Sequence, residues 1–357
     1  MNGDSAAVNY GAAAPMTADD KMKQVNKKFR VTGITTGLIS GLTYGIYTTL
    51  VLVAGYYEPL MGAAGVLAAP YVCSGLNDLF AGIWLTLYNA RCGRLSELGR
   101  SLHTFPGKMI VLGSLLGGPI ANGAYLVGLA MAGAYAIPIS ATCSLFGAIF
   151  AWIFLKQKPT KRVIAGMMIC VAGAIVINWV KPEGSPNFTL GIICALIAAI
   201  SWGLEGMLSS YGGAMIDTDV AVNLRELISG IVDLVVIVPL VGGMALLGGT
   251  FAAGLPLIWL ALSGLSAAVS FVCWYKSNST VGCAIGMSLN VTYAFWGVLF
   301  CVMFLGQQLT STIVIGSVVI VFGAILVTMN PLDLLKKGEW ENAITGKNSS
   351  AELFVQC

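Results

Sequence analysis

The stretch Phe154 to Ile177 returns 150 residues later as Phe304 to Val327. Aligned without gaps, nine of the twenty-four positions are identical: Phe154/Phe304, Leu155/Leu305, Gln157/Gln307, Thr160/Thr310, Gly166/Gly316, Val171/Val321, Gly173/Gly323, Ala174/Ala324 and Ile175/Ile325. Most other positions exchange one apolar residue for another. Apolar bias supplies some chance matches, but it does not readily align a Gln, a Thr and two Gly at one offset. The chain therefore reads as an internal repeat, and that feature limits its fold more than any other.

Of the 357 residues, 57% are apolar and only 10% charged, against about 25% charged in soluble domains. This is the composition of a polytopic membrane protein. Ten apolar spans are expected, at 31–54, 62–88, 107–131, 134–155, 161–180, 189–211, 219–243, 254–275, 280–304 and 311–330. A helix of roughly 20 residues crosses about 30 Å of hydrocarbon. Residues 1–30 and 331–357 read as polar cytoplasmic tails, the first disordered and too polar to be a signal peptide. With both termini inside, seventeen Lys and Arg fall on the cytoplasmic side, only Lys181 outside, and Arg225 near or within a span. That asymmetry supports the orientation and an even number of spans. Five spans per copy (31–180 and 189–330, joined by an outer linker 181–188) force the copies into opposite orientations. The expected fold is all-α, ten transmembrane helices as two inverted five-helix repeats.

Several chemistries find no signature. The nine Cys are scattered, with no CxxC pair, so neither a disulfide framework nor a zinc site is indicated. No G-x-S-x-G, H-E-x-x-H or P-loop pattern occurs. The lone histidine, His103, reads as a solvated loop residue. No enzyme activity, cofactor, metal or nucleic-acid partner is expected. The sequon Asn187-Phe188-Thr189 lies on the expected outer side, where it matters only in a eukaryotic host.

The copies can be traced further. Tyr44-Gly45 in the first span faces Trp202-Gly203 in the sixth, Asp78 faces Asp233, and Tyr125 faces Tyr275. The aromatic-Gly pairs, with Phe154-Leu155-Lys156-Gln157-Lys158-Pro159-Thr160 and Phe304-Leu305-Gly306-Gln307-Gln308-Leu309-Thr310, resemble the drug/metabolite transporter superfamily in its ten-span EamA-type branch. The resemblance covers about 31–330. The family usually carries Glu where this chain has Gln157 and Gln307, so any role of that carboxylate is absent or altered here. The resemblance implies a secondary transporter of small organic solutes with a central cavity between the halves and helices five and ten at the periphery. It does not fix the substrate.

Ionisable groups inside a bilayer are costly and usually mark function. Here they are Asp78, Glu205, Glu226, Asp233 and Arg225. Asn223, Glu226, Gly230 and Asp233 follow steps of three, four and three, one helical stripe that cannot face lipid. Asp78 and Asp233 are expected to bind substrate and to carry proton coupling, against the plainer reading of buried structural carboxyls. Glu226 with Arg225 reads equally as an ion pair at the cytoplasmic interface, with Arg225 free to snorkel. Asp217 and Asp219 read as a solvated loop residue and a helix cap. Glu205 shares a face with Trp202. The aromatic residues noted are Tyr44, Tyr47, Trp84, Tyr125, Trp202, Trp274, Tyr275, Tyr293 and Trp296; of these Tyr44, Tyr125, Trp202, Trp274 and Tyr293 are the ring candidates for binding, with Asn290 the polar one, and any single ring is more often packing. Rings beside carboxylates suit an organic cation, which their faces attract. Gly33, Gly37, Gly41 and Gly45 read as a helix-packing stripe, with a dimer face as the alternative. Pro119, Pro138 and Pro239 interrupt spans and read as hinges.

The expected function is secondary transport of a small organic solute across an inner or plasma membrane by alternating access, the cargo an organic cation or amine exchanged for a proton. A proton-independent transporter of neutral metabolites or amino acids, and a membrane receptor or scaffold, are the alternatives. The lipid bilayer and the solute are the expected partners. Oligomeric state is not legible.

Overall fold

The computed structural model describes residues 17–61, 67–132, 136–177, 188–306 and 310–328. These residues are almost wholly helical. In chain order the helices are α1 (Ala18–Gly55), α2 (Ala68–Arg91), α3 (Leu95–Leu102), α4 (Phe105–Leu115), α5 (Ala121–Ala132), α6 (Ala136–Ala141), α7 (Cys143–Leu155) and α8 (Lys161–Ile177). They continue as α9 (Phe188–Met215), α10 (Thr218–Val232), α11 (Val238–Leu240), α12 (Met244–Ala253), α13 (Leu255–Val281), α14 (Cys283–Asn290), α15 (Tyr293–Leu305) and α16 (Ser311–Thr328). A π-helical turn, Leu116–Ile120, joins α4 to α5, and a second, Asp233–Ile237, joins α10 to α11. Gln307, Lys181, the sequon Asn187 and the chain beyond Thr328 lie outside the described residues.

Among the described residues, five helical stretches are long and apolar enough to cross a membrane: Ala18–Gly55, Phe105–Gly128, Phe188–Met215, Leu255–Val281 and Cys283–Leu305. With large apolar side chains such as Leu240, Val235, Phe304 and Val318 exposed around the bundle, the protein is a polytopic integral membrane protein. The other expected spans are shorter or more polar. α7 and α8 have 13 and 17 residues, while α2 and α10 carry buried Asn, Asp, Glu and Arg side chains. One boundary moves. α1 starts at Ala18, so residues 18–30 are helical where a disordered tail was expected. The Thr17 hydroxyl caps the helix by accepting from Asp20 N at 3.2 Å, and Asp19 and Asp20 in the first turn oppose the helix dipole.

The repeated stretches occupy corresponding places. α7 and α15 both follow a Thr at a helix break, and Thr142 Oγ1 and Thr292 Oγ1 each donate to the carbonyl three residues back at 2.6 Å. Both helices end in a left-handed cap, Lys156 at φ 59° and Gly306 at φ 67°. α8 and α16 pack antiparallel on one another. Gly166 meets the Gly323 backbone, and Gly173 meets that of Gly316. Four of the repeat's conserved-offset glycines thus form one close helix–helix seam. The Gly33–Gly45 stripe is likewise internal: its glycines lie against Val281, Ser277, Leu289, Thr292 and Trp296 of the second half, which corrects the dimer-face alternative.

Candidate functional site

One cavity of about 710 Å³ lies between the two halves of the chain. The most exposed of its lining residues is Tyr56, just past the end of α1, and this marks its mouth. Its walls come from α1, α2, α5, α7, α9, α10, α13, α14 and α15. Of the residues singled out from sequence, Tyr44, Asp78, Tyr125, Trp202, Glu205, Trp274, Asn290 and Tyr293 all line it. Asp233 does not. It is fully buried in the π-helical turn after α10, against Gly75 of α2 and beside the Ser74 side chain.

Rings make up much of the wall. Tyr44 is 4.4 Å from Tyr47 and 4.5 Å from Tyr293, centroid to centroid. Tyr125 and Trp202 lie 5.3 Å apart, and Phe271 and Trp274 5.8 Å apart in an edge-on pair. These separations are the usual range for favourable ring contacts. Tyr47, one of the aromatic residues noted in the sequence, and Phe271, which was not, also line the cavity. Trp296 instead meets Phe295 edge-on and stacks on Phe300, and Trp84 is exposed.

The floor is a buried charge cluster. Arg225 Nε donates to Glu205 Oε1 at 2.9 Å, and its Nη1 reaches Asp78 Oδ2 at 3.3 Å and Glu226 Oε1 at 3.1 Å. Its Cζ lies 4.0 Å from the Phe271 centroid. Arg225 is 2% exposed, so it neither snorkels nor forms an interfacial pair with Glu226: the partners it needs are inside. A guanidinium suits the place, because its planar fork serves several carboxylates at once. Asp78 is held further by Ser229 Oγ at 2.6 Å and Asn77 Nδ2 at 3.1 Å, and Asn77 Oδ1 accepts from Ser263 at 2.5 Å. The stripe expected along α10 faces α2 as a whole, with Asn223, Glu226, Gly230 and Asp233 all buried.

The π-helical turn Leu116–Ile120 makes room for this cluster. Pro119 has no N–H to close a regular α turn, and the widened turn lets side chains approach the backbone. The Glu205 carboxylate lies where a Gly117 side chain would be, and Ser229 Oγ occupies the equivalent space at Gly118. Trp202 Nε1 donates to Gly117 O at 2.9 Å, and Tyr71 Oη to Pro119 O at 3.2 Å. Asn290 Nδ2 donates to Ser40 Oγ at 2.8 Å.

Polar contacts tie helices together at the other end of α2. Arg94 Nη1 lies 3.4 Å from Asp217 Oδ2 and 3.2 Å from Asp219 Oδ2, joining the α2–α3 turn to the start of α10. Asp217 and then Asp219 hold this guanidinium above its ordinary pKa range, against partial desolvation. These aspartates were read as a loop residue and a cap; Asp217 makes no side-chain cap bond. Gln157, where a Glu was expected from the resemblance, uses both ends of its amide. Its Oε1 accepts from Cys283 N at 3.1 Å, and its Nε2 donates to Ser210 Oγ at 3.3 Å. A carboxylate could not donate the second of these bonds.

Comparison with known proteins agrees with this architecture. Residues 189–329 match the EamA-like transporter family. Protein LicB of Haemophilus influenzae is 26% identical over 52% of this chain and 63% of its own length. The uncharacterized transporter YvbV of Bacillus subtilis is 26% identical over 51% of this chain and 58% of its own. The match thus spans less than two thirds of either relative. A solved crystal structure superposes with a TM-score of 0.61 over 84% of this chain and 97% of its own, at 17% identity; that likeness is one of fold. Through this match its second half is similar to the EamA-like transporter family, in line with the drug/metabolite transporter superfamily.

Proposed function

We propose that the protein is a secondary transporter that carries an organic cation or amine across the membrane by alternating access. The observation that carries this reading is a cavity whose lining brings eight aromatic residues together with Glu205 and Asp78. Ring faces and carboxylates together replace the hydration a cation loses on entry. In this reading the chain makes ten spans in two inverted five-helix repeats, both termini cytoplasmic, and the halves rock about the cavity. The broken helices α6–α7 and α14–α15 and the antiparallel α8–α16 seam support that symmetry. In this reading the cavity opens at the α1–α2 side, and the Arg94 and Gln157 contacts close the other. Asp78 or Asp233 exchanges the coupling proton; Asp233 is favoured by its full burial away from the direct contacts of Arg225.

A second reading is favoured by Arg225, which already pairs the cavity carboxylates. There the carboxylates are structural and the cargo is a neutral metabolite moved without protons. Uptake into proteoliposomes under an imposed pH gradient separates the two. The first reading expects gradient-driven accumulation of organic cations, lost in Asp233→Asn or Asp78→Asn. Gradient-insensitive flux of neutral solutes alone would replace it with the second.

A further inference from the structure

We propose that Arg225 is a tethered competitor for the cargo cation and thereby sets how strongly the cavity binds positive charge; this rests on the cation reading above. Its guanidinium makes the contacts a cargo cation would seek. It holds Glu205 at 2.9 Å and Asp78 at 3.3 Å, and stands 4.0 Å from the face of Phe271. All three partners line the cavity. Glu226, fully buried and off the cavity wall, pulls on the same guanidinium from behind at 3.1 Å, and its second oxygen has no partner. With the three carboxylates ionised, one guanidinium leaves negative charge in excess, so a second cation can be accommodated while Arg225 repels it.

The other titratable groups facing Arg225 are Tyr44 and Tyr47 on α1 and Tyr275 on α13, with Asp233 further along its own helix. None of them supplies a competing positive charge. The affinity for a cation then depends on the charge of position 225 in a direction opposite to that of a structural residue. Removing the guanidinium should tighten binding, whereas loss of a mere scaffold would weaken it. Removing Glu226 should weaken binding without touching the cavity wall.

The test is equilibrium binding of benzylammonium and of its neutral isostere, benzyl alcohol, to the full-length purified protein at neutral pH. For folded Arg225→Gln, cation affinity is expected to rise on the order of tenfold, from a unit charge removed at close range in a partly screened site. The affinity for the alcohol should hardly change, and Arg225→Lys should stay near the wild type. Glu226→Gln, which serves if Arg225→Gln does not fold, should lower cation affinity by a similar factor and spare the alcohol. Equal or weaker cation binding in folded Arg225→Gln, or an unaltered cation-to-alcohol ratio in Glu226→Gln, would overturn the proposal while leaving the cation reading standing. A wild type that binds the alcohol as well as the cation would overturn both.

Discussion

Glu205 is seated by a missing side chain. Its carboxylate fills the space beside Gly117, in a turn that Pro119 keeps from closing as a regular helix. Gly117→Ala is therefore expected to push the carboxylate off Arg225 and weaken cargo binding at least about tenfold; breaking a buried pair in this way costs roughly 3–5 kcal/mol. Calorimetric titration beside a thermal melt would check it, and unchanged affinity would show that the turn does not position Glu205. Lys156 offers the opposite case. It holds a left-handed cap that the second copy gives to Gly306. Lys156→Gly should raise thermal stability by about 1 kcal/mol by relieving that conformation. At this scale the sequence was informative for groups that are expensive in lipid: Asp78, Glu205 and the rings were found because each stands out in an apolar span. Arg225 was placed wrongly, since a long cationic side chain near a span end can turn to water or inward, and only the positions of Glu205 and Asp78 on other helices decide which. Tyr47 was noted but not chosen, and Phe271 was missed, because nothing local distinguishes a cavity ring from a packing ring.

Among the elements, α8 and α16 form a unit apart from the cavity, joined where Gly166 and Gly173 meet Gly323 and Gly316. Gly166→Leu should drive the two helices apart and destabilise the protein by roughly 1–3 kcal/mol, as overpacking a close contact does. Cargo affinity of the folded protein should stay near the wild type. Loss of affinity at full stability would tie this seam to the cavity after all. The seam was legible in the sequence as the repeat itself, because glycines at a fixed offset survive only where backbones touch. The breaks at Thr142 and Thr292 were not: each expected span ran straight through them. Hydropathy averages over a window and is blind to a single Thr hydroxyl that takes its own helix's carbonyl. For the same reason the π-helical turns at Leu116–Ile120 and Asp233–Ile237 went unseen, although Pro119 marked the first as a point of interruption.

For the whole molecule, the cavity has its mouth just past the end of α1, and polar ties join helices at the other end of α2. Arg94 with Asp217 and Asp219 is a partly exposed pair, and such pairs contribute about 1 kcal/mol or less. That is small enough to break in a working cycle. Arg94→Ala should therefore shift the population toward opening at that end. A cysteine placed at buried Ser210 would then be labelled faster by a membrane-impermeant thiol reagent, and no change would remove the pair from the closing device. The proposed inverted arrangement rests on pairing an internal repeat with one-sided charge, and both were visible in the chain. The place of the cavity was not, because it depends on how the halves pack. The account rests most on the charge of the cargo. Its most direct test is equilibrium binding of an organic cation and its neutral isostere to the purified wild type and to Glu205→Gln. The prediction is clear preference of the wild type for the cation, with that preference falling on the order of tenfold in Glu205→Gln and the isostere little affected. Equal binding of cation and isostere by the wild type, or a preference untouched by Glu205→Gln, would contradict it.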